Sequence, residues 1–298
     1  MTSLLSPAAL SYRDSNRQAA LNAWSAQGGV SIPVGEGMKL QKCWDVEVSR
    51  AAFNRLLQET TSEMSTARLK AVAAPHSGDW LQVPPLTAAG LRMDDSVLRV
   101  AAGLRLGVAL CGQHVCACGA SVAPYGTHGL SCQLNAGRQS RHALVNDILH
   151  RALNKAGLSA VREPNGVVAG SPLRPDGITL IPWTRGRCLA WDFTSPDTLA
   201  SSHLPHTSRE AGAAAERSAR QKENKYVSLS TTHHFVAVAV ESLGAWNANG
   251  EILVKDLGRH LASISGDPRE TAFLFQRIAV AVQRGNAAAV LGTLPMTP

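Results

Sequence analysis

Apolar residues recur along this chain first with a helical period and later with an alternating one. Val48, Ala51, Ala52, Leu56 and Leu57 predict a helix over residues 47–73, with acids early and basic residues late, as the helix dipole favours. Residues 1–45 have few periodic apolar positions and a Gly28-Gly29 pair, and predict mixed, loop-like chain. Residues 74–91 are rich in turn formers (Pro75, Ser77-Gly78-Asp79, Pro84-Pro85). Asp95 is placed to cap a helix running to Leu106 through Val97, Leu98, Val100 and Leu104.

The pattern changes after residue 138. A helix over 139–156 ends at Gly157. Short strands are predicted at Ser159–Arg162, Arg174–Ile181 and Arg187–Phe193, then a long helix within 208–229. His233–Glu241 is a β-branched apolar strand, followed by helices near 250–264 and 269–290. This α-β-β-β-α-β order predicts an α/β fold with a small mixed sheet flanked by helices. No internal repeat and no low-complexity tract interrupts it.

Composition narrows the class. The chain has 298 residues, 45% of them hydrophobic and 17% charged, enough to bury a real core. Its 29 Lys+Arg exceed 22 Asp+Glu for a net charge of +7, which suits a polyanionic partner. The longest apolar run, near Phe235–Val240, is far short of a membrane span, and residues 1–17 lack the pattern of a signal peptide. An intracellular protein without membrane contact is expected.

Four of the six cysteines fall between Cys111 and Cys132. In a reducing compartment such clustering points to metal rather than disulfides. One tetrahedral zinc set is Cys116, Cys118, His128 and Cys132, two short ligand pairs joined by a loop. Cys111 or His114 could replace a member, and unliganded thiols are the plainer alternative. Four protein ligands leave no position for water, so the site is read as structural.

A second constellation joins Arg174-Pro175-Asp176 to Trp191-Asp192. If the two strands form a hairpin, both carboxylates converge at one end of it, as a hard divalent cation such as Mg²⁺ (or Mn²⁺) requires. Glu163 could add an oxygen. Turn chemistry and helix capping explain such acids equally well taken singly. The long helix adds weight. Ala211, Ala215, Ala219, Lys222, Tyr226 and Leu229 form one inward stripe, so Lys222 must pair with an acid or snorkel. Lys225 lies off to the side and is the alternative lysine. Arg138 and His142 fall on or beside the inward stripe of their own helix (Val145, Leu149, Ala152).

Taken in order, these motifs resemble the zinc knuckle and restriction-like PD-(D/E)XK endonuclease of site-specific non-LTR retrotransposon polyproteins. The elements are the Cys/Cys/His/Cys knuckle, Arg138-x-x-Arg141-His142, Glu163-Pro164, Arg174-Pro175-Asp176, Trp191-Asp192 and Lys222-x-x-Lys225-Tyr226. The lysine expected two residues past the second acid is replaced by Thr194, and a lysine migrated to the following helix, Lys222, takes its place.

Four regions are expected: a mixed, helical N-terminal region at 1–73 and a turn-rich linker and helix over 74–110, both read from local pattern, then the knuckle at 111–132 and the nuclease at 138–298, which the resemblance implies. It implies Mg²⁺-dependent nicking of DNA by Asp176, Asp192, Lys222 and Glu163, with Arg138, Arg141, His142 and Arg174 holding nucleic acid. It further implies DNA and element RNA as partners, a nuclear location in a eukaryotic host, and a reverse transcriptase elsewhere in the polyprotein, since no Tyr-x-Asp-Asp is present. A non-catalytic DNA- or RNA-binding module, or an inert remnant of the element, that keeps the nuclease fold is the competing expectation.

Overall fold

The computed structural model describes residues 7–35, 40–135, 137–167 and 173–295. The chain divides into two compact units, residues 1–62 and 63–298. Residues 1–6 and 36–39 of the stretch read as loop-like lie outside the described residues.

The first unit holds α1 (Pro7–Ala26) and α2 (Gln41–Glu59). The loop-like expectation for residues 1–45 therefore fails across α1. Its few apolar positions gave no helical signal, yet Trp24 packs edge-on against Trp44 at 5.1 Å and donates to the Trp44 carbonyl at 2.9 Å.

The second unit begins with α3 (Glu63–Ala73). The single helix predicted over 47–73 is thus two helices, broken where Thr60 turns extended. The turn-rich segment folds so that Trp80 is buried beside Ala101 and Val280. The next helix, α4 (Asp95–Leu106), starts as expected, but its cap is Asp94, whose carboxylate accepts from the Val97 N–H.

The knuckle region forms a two-stranded hairpin, β1 (His114–Val115) with β2 (Ser121–Val122), followed by the short α5 (His128–Ser131). Then come α6 (Gly137–Lys155), β3 (Ala160–Arg162), β4 (Gly177–Thr184), β5 (Arg187–Thr194), α7 (Leu204–Thr207), α8 (Ala213–Lys225), β6 (His234–Ala239), α9 (Ala248–Ser265) and α10 (Glu270–Leu291). The sheet order is β3-β4-β5-β6. The first two pairings are antiparallel, and β5–β6 is parallel across the α7–α8 crossover. A mixed sheet flanked by helices is the architecture observed.

Strand alternation decides what faces what. Leu189, Trp191 and Phe193 of β5 join Val236, Val238 and Val240 in the core against α6, α9 and α10. The intervening Ala190 packs on Tyr226, and Ala237 and Ala239 pack on Ala215 and Ala219 of α8. Asp192 shares the Ala190 face, so it looks toward α8. Small residues on both sides of that contact let the helix lie close to the sheet. No helix among the described residues is long and apolar enough to cross a membrane.

Candidate functional site

The β4–β5 register pairs Gly177 with Trp191. Asp176 and Asp192, one residue beyond that pair, therefore meet at the same end of the hairpin. A ring nitrogen of His142 and one oxygen each of Asp176 and Asp192 lie within 4.8 Å of one another. Gly177 makes this end compact, because a Cβ there would fall 2.1 Å from the Trp191 ring.

Each acid is held differently. Asp176 Oδ2 accepts from the Phe193 N–H at 2.6 Å and from Asn146 Nδ2 at 2.9 Å, and lies 3.0 Å from His142 Nε2. Burial pushes its carboxyl pKa up, but the His142 contact and the Phe193 and Asn146 donors more than reverse this and leave it lowered. His142 is raised in turn by its bond to Asp176, against the effect of its own burial. Asp192 is almost wholly buried, and Lys222 Nζ stands 2.6 Å from its Oδ1. The ammonium is the charge partner of this buried oxygen, whose second lone pair is left over. A buried carboxylate oxygen with spare acceptor capacity beside a second carboxylate fits a cation ligand.

Two supporting residues went unnoticed as such in the sequence. Asn146 is buried one helical turn after His142; its Oδ1 accepts from Trp191 Nε1 at 3.0 Å while its amide nitrogen holds Asp176. The readable signal was a polar His142/Asn146 pair at i, i+4 next to the apolar stripe. Tyr226 is fully buried and its hydroxyl donates to the Arg174 carbonyl at 2.7 Å, tethering the backbone two residues before Asp176. Burial and the nearby Asp192 and Asp176 charges push this phenol far above its ordinary pKa. Tyr226 and Leu229 lie just past the end of α8 yet keep to the inward stripe.

The other expected residues divide. Lys222 is the lysine at the acids; Lys225 instead lies over the Tyr226 ring, 3.2 Å from its hydroxyl. Glu163 is not among the converging ligands, because its carboxylate turns away to pair with Arg174 at 2.5 Å. Arg174 is half-exposed in that pair. Arg141 is corrected outright: it is 1% exposed, donating to Asn286 Oδ1 at 2.6 Å and to the Leu130 carbonyl at 2.8 Å, and it cannot reach a phosphate. Arg138 is exposed. With His142, Lys222, Asn135, Phe193 and Ser195 it lines a cleft of about 490 Å³ beside the acids.

The knuckle ligands also converge. Sulfurs of Cys116, Cys118 and Cys132 and a ring nitrogen of His128 lie within 4.8 Å of one another. The Cys116–Cys132 sulfur separation is 3.9 Å, against about 3.8 Å for the edge of a tetrahedron with Zn–S bonds near 2.3 Å. Three thiols and an imidazole at that spacing could bind a metal such as zinc. Gly119, at φ +86, makes the turn between the strands. Cys111 stands apart, its thiol facing the Pro124 carbonyl at 3.5 Å. His114 is engaged with Gly112 and Thr293. The knuckle is seated on the rest of the unit: at Gly129 a Cβ would meet the Ala289 carbonyl at 2.4 Å.

No protein-family model matches the chain, and no curated protein matches it.

Proposed function

We propose that this chain is a metal-dependent DNA endonuclease of the restriction-like kind carried by site-specific non-LTR retrotransposon polyproteins, with a structural zinc knuckle. The observation that carries the reading is the meeting of Asp176, Asp192 and the Lys222 ammonium beside one basic cleft. Asp176 and Asp192 would hold Mg²⁺ or Mn²⁺, which when bound supplies Lewis-acid polarisation of a phosphoryl oxygen. Lys222 orients the attacking water and steadies charge on the scissile phosphate. Arg138 grips the backbone near the cut. Asn146 and Tyr226 keep the Asp176 loop in place, and the packed Trp191 and Phe193 side chains exclude bulk water from beneath the acids. DNA is the expected partner, and element RNA a second one for the knuckle.

The test is nicking of supercoiled plasmid by the full chain with Mg²⁺ or Mn²⁺. Wild type should nick and Asp176→Ala should not. Equal nicking by both, or none by clean wild type, overturns the catalytic claim.

One observation favours the second reading, a non-catalytic nucleic-acid-binding module. Each acid already has a basic neighbour, His142 for Asp176 and Lys222 for Asp192. A binding module would show no rise in melting temperature with divalent cations; a nuclease would, and Asp176→Ala would lose it.

A further inference from the structure

We infer that His142 is a third ligand of the metal held by Asp176 and Asp192, and that the site therefore selects Mn²⁺ over Mg²⁺. The inference rests on the nuclease reading for its setting but concerns only metal identity.

The geometry comes first. A ring nitrogen of His142 lies within 4.8 Å of an oxygen of both Asp176 and Asp192, and Nε2 is 3.0 Å from Asp176 Oδ2. These are separations at which three donors share one ion, with metal–ligand bonds just over 2 Å. The imidazole is not placed there by chance packing. It comes from α6, the helix tied down by the buried Arg141 one residue earlier, and Asn146 sits one turn later, with its amide nitrogen 3.2 Å from His142 Nδ1. The same amide nitrogen donates to Asp176 Oδ2 at 2.9 Å, so a buried residue on the helix that carries His142 fixes the carboxylate beside the ring.

The chemistry follows from the donor set. Mg²⁺ demands oxygen donors and keeps its waters, so two carboxylates alone would suit it. An imidazole nitrogen shifts preference toward the later divalent ions, and Mn²⁺ is the one that still favours carboxylate oxygen. The cleft beside the site is open enough for water or a phosphate oxygen to complete the shell, with His142 and Lys222 both on its wall.

Binding can be read without catalysis. The full, zinc-loaded chain is titrated with Mn²⁺ and followed by the electron paramagnetic resonance of free Mn²⁺, with Mg²⁺ as competitor. Wild type should bind one Mn²⁺ at this site, and a large excess of Mg²⁺ should be needed to displace it. His142→Ala should lose roughly ten- to a hundredfold in Mn²⁺ affinity, the scale of losing even a supporting group at a metal site, with little change for Mg²⁺. His142→Asp should restore binding and tip the preference toward Mg²⁺, which guards against a folding defect in the alanine variant. Unchanged Mn²⁺ affinity and Mn²⁺/Mg²⁺ ratio in His142→Ala, with Asp176→Ala abolishing binding, overturns the third-ligand role alone. Binding that survives Asp176→Ala overturns the metal centre itself. Mn²⁺ binding with the expected variant pattern but no nicking by wild type leaves this inference standing and removes the nuclease reading.

Discussion

Replacing Arg141 by Met separates a strut from a phosphate contact. Methionine keeps much of the stem packing but removes the guanidinium. The Leu130 carbonyl and the Asn286 Oδ1 then lose their donor in a site that is almost fully buried. Each orphaned acceptor costs about 1–3 kcal/mol, so the pair costs about 2–6. Against this, burial pushes the guanidinium pKa down to about 10, a penalty of about 3 kcal/mol on the cation that methionine does not carry. The unpaired acceptors outweigh this only narrowly, and a net loss of about 1 kcal/mol is expected. Urea unfolding of the zinc-loaded chain at neutral pH measures it. In parallel, log K for duplex DNA is followed against log salt. Arg141→Met should leave that slope unchanged, whereas Arg138→Ala should reduce it by about 0.9, one phosphate contact. Unaltered stability together with a shallower slope in Arg141→Met would refute the strut and restore the phosphate contact.

Three further outcomes can be checked directly. Gly177→Ala drives a methyl into the buried Trp191 ring; it should destabilise by about 1–3 kcal/mol and weaken nicking, because Trp191 moves off Asn146, and an unaffected melting temperature would contradict the packing. Cys118→Ser should abolish bound zinc while Cys111→Ser keeps one ion per chain, measured by atomic absorption; the reverse pattern would reassign the ligand set. Burial raises the carboxyl pKa values of Asp197 and Glu241 above those of ordinary carboxylates. In the unfolded chain both ionise near pH 4, so their share of stability is whole below about pH 4 and is lost as pH rises through the raised values. Wild type should therefore lose ground against Asp197→Asn as urea unfolding is repeated from about pH 4 to pH 7; a difference that stays constant with pH would refute this.

Much of the second unit was legible from local pattern. Turn residues, a helical period in 139–156 and alternating apolar runs marked the helices and strands, because each follows from the spacing of apolar side chains. The cysteine spacing marked the knuckle, and the inward position of Lys222 in an alanine stripe told that it needed a partner. α1 was missed because its stabilising contacts, Trp24 on Trp44 and its bond to the Trp44 carbonyl, are distant in sequence.

By itself, then, the sequence determined which residues are candidates for chemistry: two acids at strand ends, an inward lysine, and four metal-seeking side chains within 17 residues. What only the tertiary structure decided was who meets whom. Glu163 and Arg174 satisfy each other at the surface. Arg141 lies under the knuckle rather than over a phosphate, and Asn286 of α10, 145 residues away, is its reason for being there. His142 joins the acids instead of standing with the arginines. Such choices rest on register and on long-range packing. A charged side chain reads the same in sequence whether it faces solvent or a buried acceptor, and only the fold sets the desolvation that makes the difference.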